Sequence, residues 1–466
     1  MRHARPASGR SSSTTTSGRY GCNHQEKKEN ASLQHAPRLK SNSSRGSDAA
    51  VSSPFAVKAS GVPDLRAKQI VDAIADAAAR WRDADFPPRV RITRALMNRT
   101  QYTEPVVDVA LDRLFGAIDR TTLRATIAGE LGALEALDDF ITRLNRPDVR
   151  YRAVEGVAIV SSDTTIGVAV PALVFALCAK AHVVVKDRDD RLVAAFAQTL
   201  GEERPELGRR IVTGVWRGDD ESATRAQLAS AETVVAFGRD DTLAAIRAQL
   251  APETRFVPFG HRTSIAIVAR ESLTDRAGAQ ASARSIAVDM LLYDGDGCLS
   301  LHAAFVESGA PVSPSEFAQL LAQACDEVSI EFPAGYPQPD TATGAYARAA
   351  AFRAAQGSGA VFPGKNGPHL LVLDPPHDEP PPFLRRTLAL YPVAGPAEVL
   401  DFVRRHALSL EAVAFSDAGR TDLTELALAA GATRIASLGT LQDPPLGGEH
   451  GGVARILPFV HAIYRQ

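Results

Sequence analysis

Net charge, cysteine and long apolar runs are all scarce in this chain of 466 residues. Its 52 Lys and Arg nearly balance its 54 Asp and Glu, for a formal charge of −2. That balance argues against a nucleic acid partner, which needs a strongly basic face, while leaving local cations free to serve a phosphorylated cofactor. The four cysteines, Cys22, Cys178, Cys298 and Cys325, lie far apart, with no CxxC pair and no metal-type His/Cys spacing. No disulfide framework and no metal site is therefore expected, and a reducing cytoplasm is the default compartment. The longest apolar run, residues 166–179, is interrupted by Pro171 and closed by Lys180. It is too short for a bilayer, which takes about 20 residues, so no membrane span is expected and a buried helix accounts for it.

Large apolar side chains are nearly missing from residues 1–60, which are rich in Ser, Thr, Arg and Gly. Such a segment cannot bury a core and reads as a disordered tail; it also lacks the apolar stretch of a secretory signal. The remainder, with 45% hydrophobic residues overall, is long enough for two or three domains.

From Asp64 to about Asn145, Trp81, Leu96, Val107, Leu111, Leu114 and Phe115 recur at helical steps among charges, predicting a helical lead-in. Short apolar runs then alternate with helical patterns: 156–160, the Pro171 helix, 183–186, the Leu192 helix, 211–213, 233–237 and the Leu243 helix. That alternation predicts βαβ units on a parallel sheet, hence an α/β fold suited to a nucleotide. A second α/β stretch starts near Gly260, with a strand at 265–268, a helix over about 275–292 and a strand at 302–307. After the proline-rich loop at 374–382, a β-α-β-α-β set runs from Leu388 to Leu438. The chain divides accordingly into a tail (1–60), the lead-in with a dinucleotide-binding domain (61–258), a catalytic domain (259–395) and a C-terminal segment completing the fold (396–466).

Cys298 falls at the junction between the second helix and its following strand, in Asp294-Gly295-Asp296-Gly297-Cys298-Leu299-Ser300-Leu301-His302. A thiol flanked by glycines can sit on a tight turn beside free backbone N–H groups, the donors that stabilise an oxyanion when sulfur attacks a carbonyl.

Three stretches in order resemble the aldehyde dehydrogenase superfamily. Val154 to Val160, then Pro171 to Val185 with Lys186, resemble its first nucleotide-binding strand, apolar helix and second strand. Pro444 to Gly452 is similar to its PFGG-type C-terminal loop. Within that superfamily, Ala79-Arg80-Trp81-Arg82-Asp83, Phe259-Gly260-His261-Arg262-Thr263-Ser264 and Tyr293 to His302 resemble the acyl-CoA reductase family that includes the fatty acid reductase subunit of bacterial luminescence, the LuxC family.

The resemblance implies an aldehyde dehydrogenase-like fold that reduces a fatty acyl-CoA, or another acyl thioester from a carrier protein or synthetase, to its aldehyde. Cys298 would be the nucleophile, Thr164 an oxyanion donor where relatives often carry asparagine, and His261 a candidate acid/base. Lys186 would meet the adenosine ribose. Gly214, Gly238, Arg239 and Asp241 would complete the cofactor site, the last three at a helix N-terminus that can receive phosphate. Lys186 and Arg239 together favour NADPH, with NADH as the alternative, and a homo-oligomer is the family expectation. The usual GxGxxG fingerprint is missing, as it is from the superfamily. Residues 257–262 also lack the carboxylate with which a hydrolytic aldehyde dehydrogenase activates water, which favours reduction of the acyl enzyme over aldehyde oxidation. An aldehyde oxidiser and a non-catalytic acyl-binding relative remain as alternatives.

Overall fold

The computed structural model describes residues 65–466 apart from positions 163–164, 219, 298, 337–338, 358, 378 and 418. The expected tail, Cys298 as the expected nucleophile and Thr164 as the expected oxyanion donor thus lie outside the described residues. Fifteen strands follow in chain order among those described: β1 (Ile141–Arg143), β2 (Arg146–Ala153), β3 (Gly156–Val160), β4 (His182–Lys186), β5 (Ile211–Gly214), β6 (Thr233–Phe237), β7 (Arg255–Phe259), β8 (Thr263–Val268), β9 (Leu301–Glu307), β10 (Ala360–Pro363), β11 (Leu370–Leu373), β12 (Thr387–Val393), β13 (Leu410–Phe415), β14 (Arg434–Ser437) and β15 (Val460–Arg465).

They form three sheets. A five-stranded sheet, ordered β5-β4-β3-β6-β7, is parallel throughout. Its central strands β3 and β6 are buried along their whole length, as expected of strands covered by helices on both faces. A seven-stranded sheet, ordered β10-β11-β12-β9-β8-β13-β14, is parallel except for the antiparallel edge strand β10. Residues 260–262 alone separate β7 of the first sheet from β8 of the second. The third sheet, β1-β2-β15, is antiparallel and draws the C-terminal strand back beside β2.

The lead-in's α-helices end at Leu131 and a single 3-10 turn follows at Leu134–Leu137, which corrects the expectation that the helical pattern runs to Asn145. Gly132 takes a left-handed conformation (φ 92°) at the helix end, where a side chain would be strained. Asn145, also left-handed (φ 56°), turns the chain between β1 and β2. Charged residues in and around this hairpin masked its weak alternation. The helices themselves are cut at recognisable residues. Asp119 caps the helix Arg120–Leu131 by accepting from the amides of Thr121 and Thr122, and Ser313 forms a capping box with Glu316 ahead of the helix Pro314–Glu331. Ser313→Ala should cost about 1 kcal/mol of stability, read from a urea midpoint, since one cap is lost and no core is disturbed.

Trp81 closes the first helix, Ala67–Trp81, and is fully buried. Its ring stacks on Phe115 at 4.8 Å and meets Phe196 edge-on at 6.3 Å, while its Nε1–H donates to Thr199 Oγ1 at 3.1 Å. Phe196 and Thr199 belong to the helix Leu192–Glu203 that follows β4, so the lead-in is packed directly behind the five-stranded sheet.

Candidate active site

In a parallel sheet all carboxyl ends lie on one side, and there ligands bind. Along that edge of the five-stranded sheet the order is Gly214 ending β5, Lys186 ending β4, the end of β3, Gly238 just past β6, and Gly260 just past β7. Lys186 and Gly214 are register partners. The Lys186 side chain is buried with its ammonium 5.3 Å from the centre of the Trp216 ring, a cation–π contact. A Cβ on Gly214 would come within 3.1 Å of that same indole, so the glycine makes room for the ring. The indole is itself held by Nε1–H donating to Thr224 Oγ1 at 3.0 Å. Trp216 was not apparent as a site residue from the sequence; an aromatic two positions past a strand end is the signal that would have found it.

Two strands away from Lys186, beyond β3, Gly238 leads into the helix Asp240–Arg247. Arg239 is largely exposed and makes a two-point pair with Asp241, at 3.2 and 2.7 Å. Asp241 is also held by the Thr242 amide, and these partners keep its carboxyl below the ordinary range, the Arg239 pair most of all. Lys186 and Arg239 therefore follow strands about 10 Å apart across the sheet, two inter-strand spacings. With Lys186 in its expected place at the adenosine ribose, Lys186→Ala should raise the KM for a nicotinamide cofactor about tenfold, measured by initial rates.

His261 lies in the link between the two sheets. Its amide donates to Asp240 Oδ1 at 3.1 Å, and that oxygen occupies the space where a Cβ on Gly260 would stand, 2.4 Å away. The helix that begins at Asp240 is thereby tied to the link. The sequence-distant Asp240 thus brings a carboxylate beside the 257–262 segment, although that segment carries none. His261 also lines an open depression of about 580 Å³ together with Arg262, Leu410 and Gly431.

His261 and His302 stand on either side of Phe383, each edge-on to its ring, at 5.1 and 5.2 Å. Burial first, and the neighbouring His261 second, push His302 down to about 4. His450, in the C-terminal loop, stacks on Phe259 at 4.2 Å, and Phe259 in turn stacks on Phe237 at 4.9 Å. Burial pushes His450 down to about 3. Both histidines are thus neutral in the folded protein and regain their ordinary basicity, near 6.5, on unfolding. As pH falls below 6.5 the unfolded chain takes up protons that the folded one does not, down to about 4 for His302 and about 3 for His450. Stability should therefore drop on acidification from 6.5 to 5, by on the order of 1–2 kcal/mol per histidine. His450→Phe, which keeps the stack, should flatten the dependence of melting temperature on pH over that window.

The segment before Cys298 is unlike an ordinary helix end. Tyr293 (φ 63°), Asp294 (φ 55°) and Gly295 (φ 80°) are all left-handed, a conformation costing roughly 1–3 kcal/mol for each non-glycine residue. Asp294 is buried; its carboxylate accepts from Arg386 Nε at 2.5 Å and its main-chain oxygen from the Arg386 amide at 3.0 Å. Arg385 pairs with Asp296 at 2.6 Å. Burial pushes both carboxyls up, and the adjacent guanidinium opposes that push in each case. On the far side of Cys298, Ser300 Oγ accepts from the Gln442 amide at 3.0 Å. The same Gln442 nitrogen donates to the Asp289 main-chain oxygen at 3.2 Å. Asp289, pushed up to about 7 by burial, accepts from the Gly439 and Leu441 amides. The two arginines and Gln442 were not anticipated from the sequence. The Asp-Gly-Asp-Gly run was a usable signal, because two acids two residues apart in a buried turn require two cations.

This pairing of a five-stranded parallel sheet with a seven-stranded one, joined by a short link and closed by a returning C-terminal strand, defines an aldehyde dehydrogenase-like protein. The fold is shared, at 14% identity and a TM-score of 0.62, with an NAD-dependent benzaldehyde dehydrogenase from Corynebacterium glutamicum, over 86% of this chain and 85% of that one. Lactaldehyde dehydrogenase from Escherichia coli is similar at 13% identity and a TM-score of 0.59, over 86% and 87% of the two chains. The aldehyde dehydrogenase PutA of Anabaena variabilis, described as putative, is 16% identical with a TM-score of 0.60, over 86% and 93%. The family model described as acyl-CoA reductase (LuxC) matches residues 62–462, and the chain belongs to that family. A search of curated proteins returns no match. As a LuxC-family member the protein is an oxidoreductase of acyl or aldehyde substrates. Among the described residues no helix is long and apolar enough to cross a membrane, and no group of His, Cys, Asp and Glu is placed to hold a metal.

Proposed function

We propose that this protein reduces an acyl thioester, a fatty acyl-CoA or the equivalent on a carrier or synthetase, to the aldehyde with NADPH by way of an acyl-Cys298 intermediate. Membership of the acyl-CoA reductase family over residues 62–462 is the observation that carries this reading. The Cys298 thiolate adds to the thioester carbonyl, coenzyme A leaves as its thiolate and takes a proton from solvent, and the acyl group is left on sulfur. When bound, the nicotinamide supplies a hydride to that carbonyl carbon. The resulting thiohemiacetal oxyanion re-forms its C=O bond as the C–S bond breaks, releasing aldehyde and regenerating the thiolate. Holding the acyl group on the enzyme keeps its carbonyl in register with the hydride donor through both steps.

The carboxyl edge of the five-stranded sheet suits such a cofactor. Lys186 over Trp216 offers a cation and a ring face at the adenosine end, beside Gly214, and Gly238, Arg239 and Asp241 open a helix whose amides can take phosphate. Thr164 is assigned to the oxyanion and His261 to proton transfer. The 61–258 and 259–395 segments are the cofactor and catalytic domains, completed by 396–466, and a cytoplasmic homo-oligomer is the expected state.

Purified protein given a medium- or long-chain acyl-CoA should consume NADPH, and NADH more slowly, with one aldehyde trapped per cofactor oxidised. Cofactor reduction on adding an aldehyde without coenzyme A, with carboxylic acid as product, would instead establish the oxidising alternative.

A further inference from the structure

We propose that Asp294 and Arg386 are the positioning pair for the Cys298 thiol: they clamp the left-handed turn from which the chain enters the nucleophile. The inference rests on the thiol reading above.

Three independent features converge on the pair. Asp294 precedes Cys298 by four residues in the chain and Arg386 immediately precedes β12, the strand that pairs with β9, so the pair ties the turn ahead of β9 to the strand beside it. Contact is made twice, by side chain at 2.5 Å and by main chain at 3.0 Å, which fixes orientation as well as distance. Strain is concentrated at both ends of the clamp. Tyr293, Asp294 and Gly295 are left-handed on one side and Arg386 itself (φ 46°) on the other. Such conformations persist only where the surroundings over-determine them.

Arg386 is held from behind as well. It is fully buried, and its Nη2 donates to the Phe332 carbonyl at 2.5 Å. Its Nη1 has no hydrogen-bond partner among the described residues. That nitrogen lies beside Gly367, next to Ser329, whose hydroxyl contacts His369 Nδ1 at 3.2 Å; His369 Nε2 faces Asp326 at 3.5 Å. A buried ion pair is a poor source of net stability, because desolvation of two charges offsets most of their attraction. Its better-attested use is to specify one arrangement, here the course of the main chain into the thiol.

The test uses full-length Asp294→Asn and Arg386→Lys proteins, which keep side-chain size but weaken the clamp. Two readouts are taken: kcat and KM with acyl-CoA, and the pH profile of iodoacetamide alkylation at Cys298 located by peptide mapping. We expect kcat to fall by about tenfold or more with KM changed less than about threefold, because misplacing a nucleophile by an ångström damages the step rather than binding. The alkylation midpoint should move by at least about half a pH unit, as the charges around the thiol are rearranged. Folded variants with wild-type kcat and an unshifted alkylation profile overturn the proposal. Should both variants fail to fold, Asp294→Glu, which keeps the charge but displaces the contact with Arg386, decides by the same alkylation readout: a shifted profile supports the clamp and an unshifted one overturns it. Alkylation needs no turnover, so the outcomes separate. A shifted profile in a protein that makes no aldehyde leaves the clamp standing and removes the reductase reading, whereas aldehyde formation with unshifted variants does the reverse.

Discussion

Cys298→Ala should abolish aldehyde formation, lowering the rate by about 10⁴-fold or more, as removal of a covalent nucleophile does elsewhere. No other thiol among the described residues can take over. Cys178 is sealed in the core under the five-stranded sheet, and burial pushes its thiol up to about 12. Cys325 is buried against Met290, and its thiol is likewise pushed up by burial. Neither can form a thiolate near neutral pH or reach a substrate. Cofactor binding, which involves the other sheet, should be unchanged in the variant. Intact mass after incubation with acyl-CoA should show an added acyl group on the wild type and none on Cys298→Ala. A variant retaining even a tenth of the aldehyde yield would remove the cysteine from the mechanism while leaving the family membership intact.

Trp81→Ala should be the most destabilising single change outside the site, at about 3–5 kcal/mol. The indole is fully enclosed, stacked on Phe115 and met edge-on by Phe86 and Phe196, so its removal leaves a cavity that three aromatic rings, two on different helices and one just ahead of a third, cannot jointly fill. It also strips Thr199 of a buried partner. Trp81→Phe keeps most of the contact and loses the hydrogen bond, so it should cost far less. Urea midpoints of the two variants against wild type measure both effects. Equal midpoints for Trp81→Ala and wild type would mean that the lead-in helices do not unfold together with the five-stranded sheet.

The fold was legible because its parallel strands are uninterrupted apolar runs: β3, β4 and β6 stand out by composition alone, as strands buried on both faces must. The strands of the small sheet were hidden because only part of each is covered, and Arg146, Arg150 and Arg152 on β2 point the reading towards a solvated segment. At the site the sequence showed what is contiguous. Lys186, Gly238 and the run up to Cys298 follow from strand ends and glycine placement. Arg385, Arg386, Phe383 and Gln442 did not follow, because each reaches the thiol segment from about 80 to 140 residues away in the chain. Arg239 is the intermediate case: its position at a helix start was legible, as was a pairing with Asp240 or Asp241 in place of a cofactor contact, and the structure pairs it with Asp241 at two points.

The link at residues 260–262 is too short, at about 10 Å fully extended, for the two sheets to part by translation. The chain also crosses back. Glu130 accepts from the Arg455, Ile456 and Leu457 amides, Thr233 Oγ1 and Arg255 both donate to the Pro458 carbonyl, and β15 then joins β2. The seven-stranded sheet is in effect a buckled belt, fastened at its start and at its end to the same partner. Cleavage at Gly260 would therefore yield two fragments that migrate as one particle until denatured, and the two parallel sheets can shift against each other only by a rotation about these two fastenings.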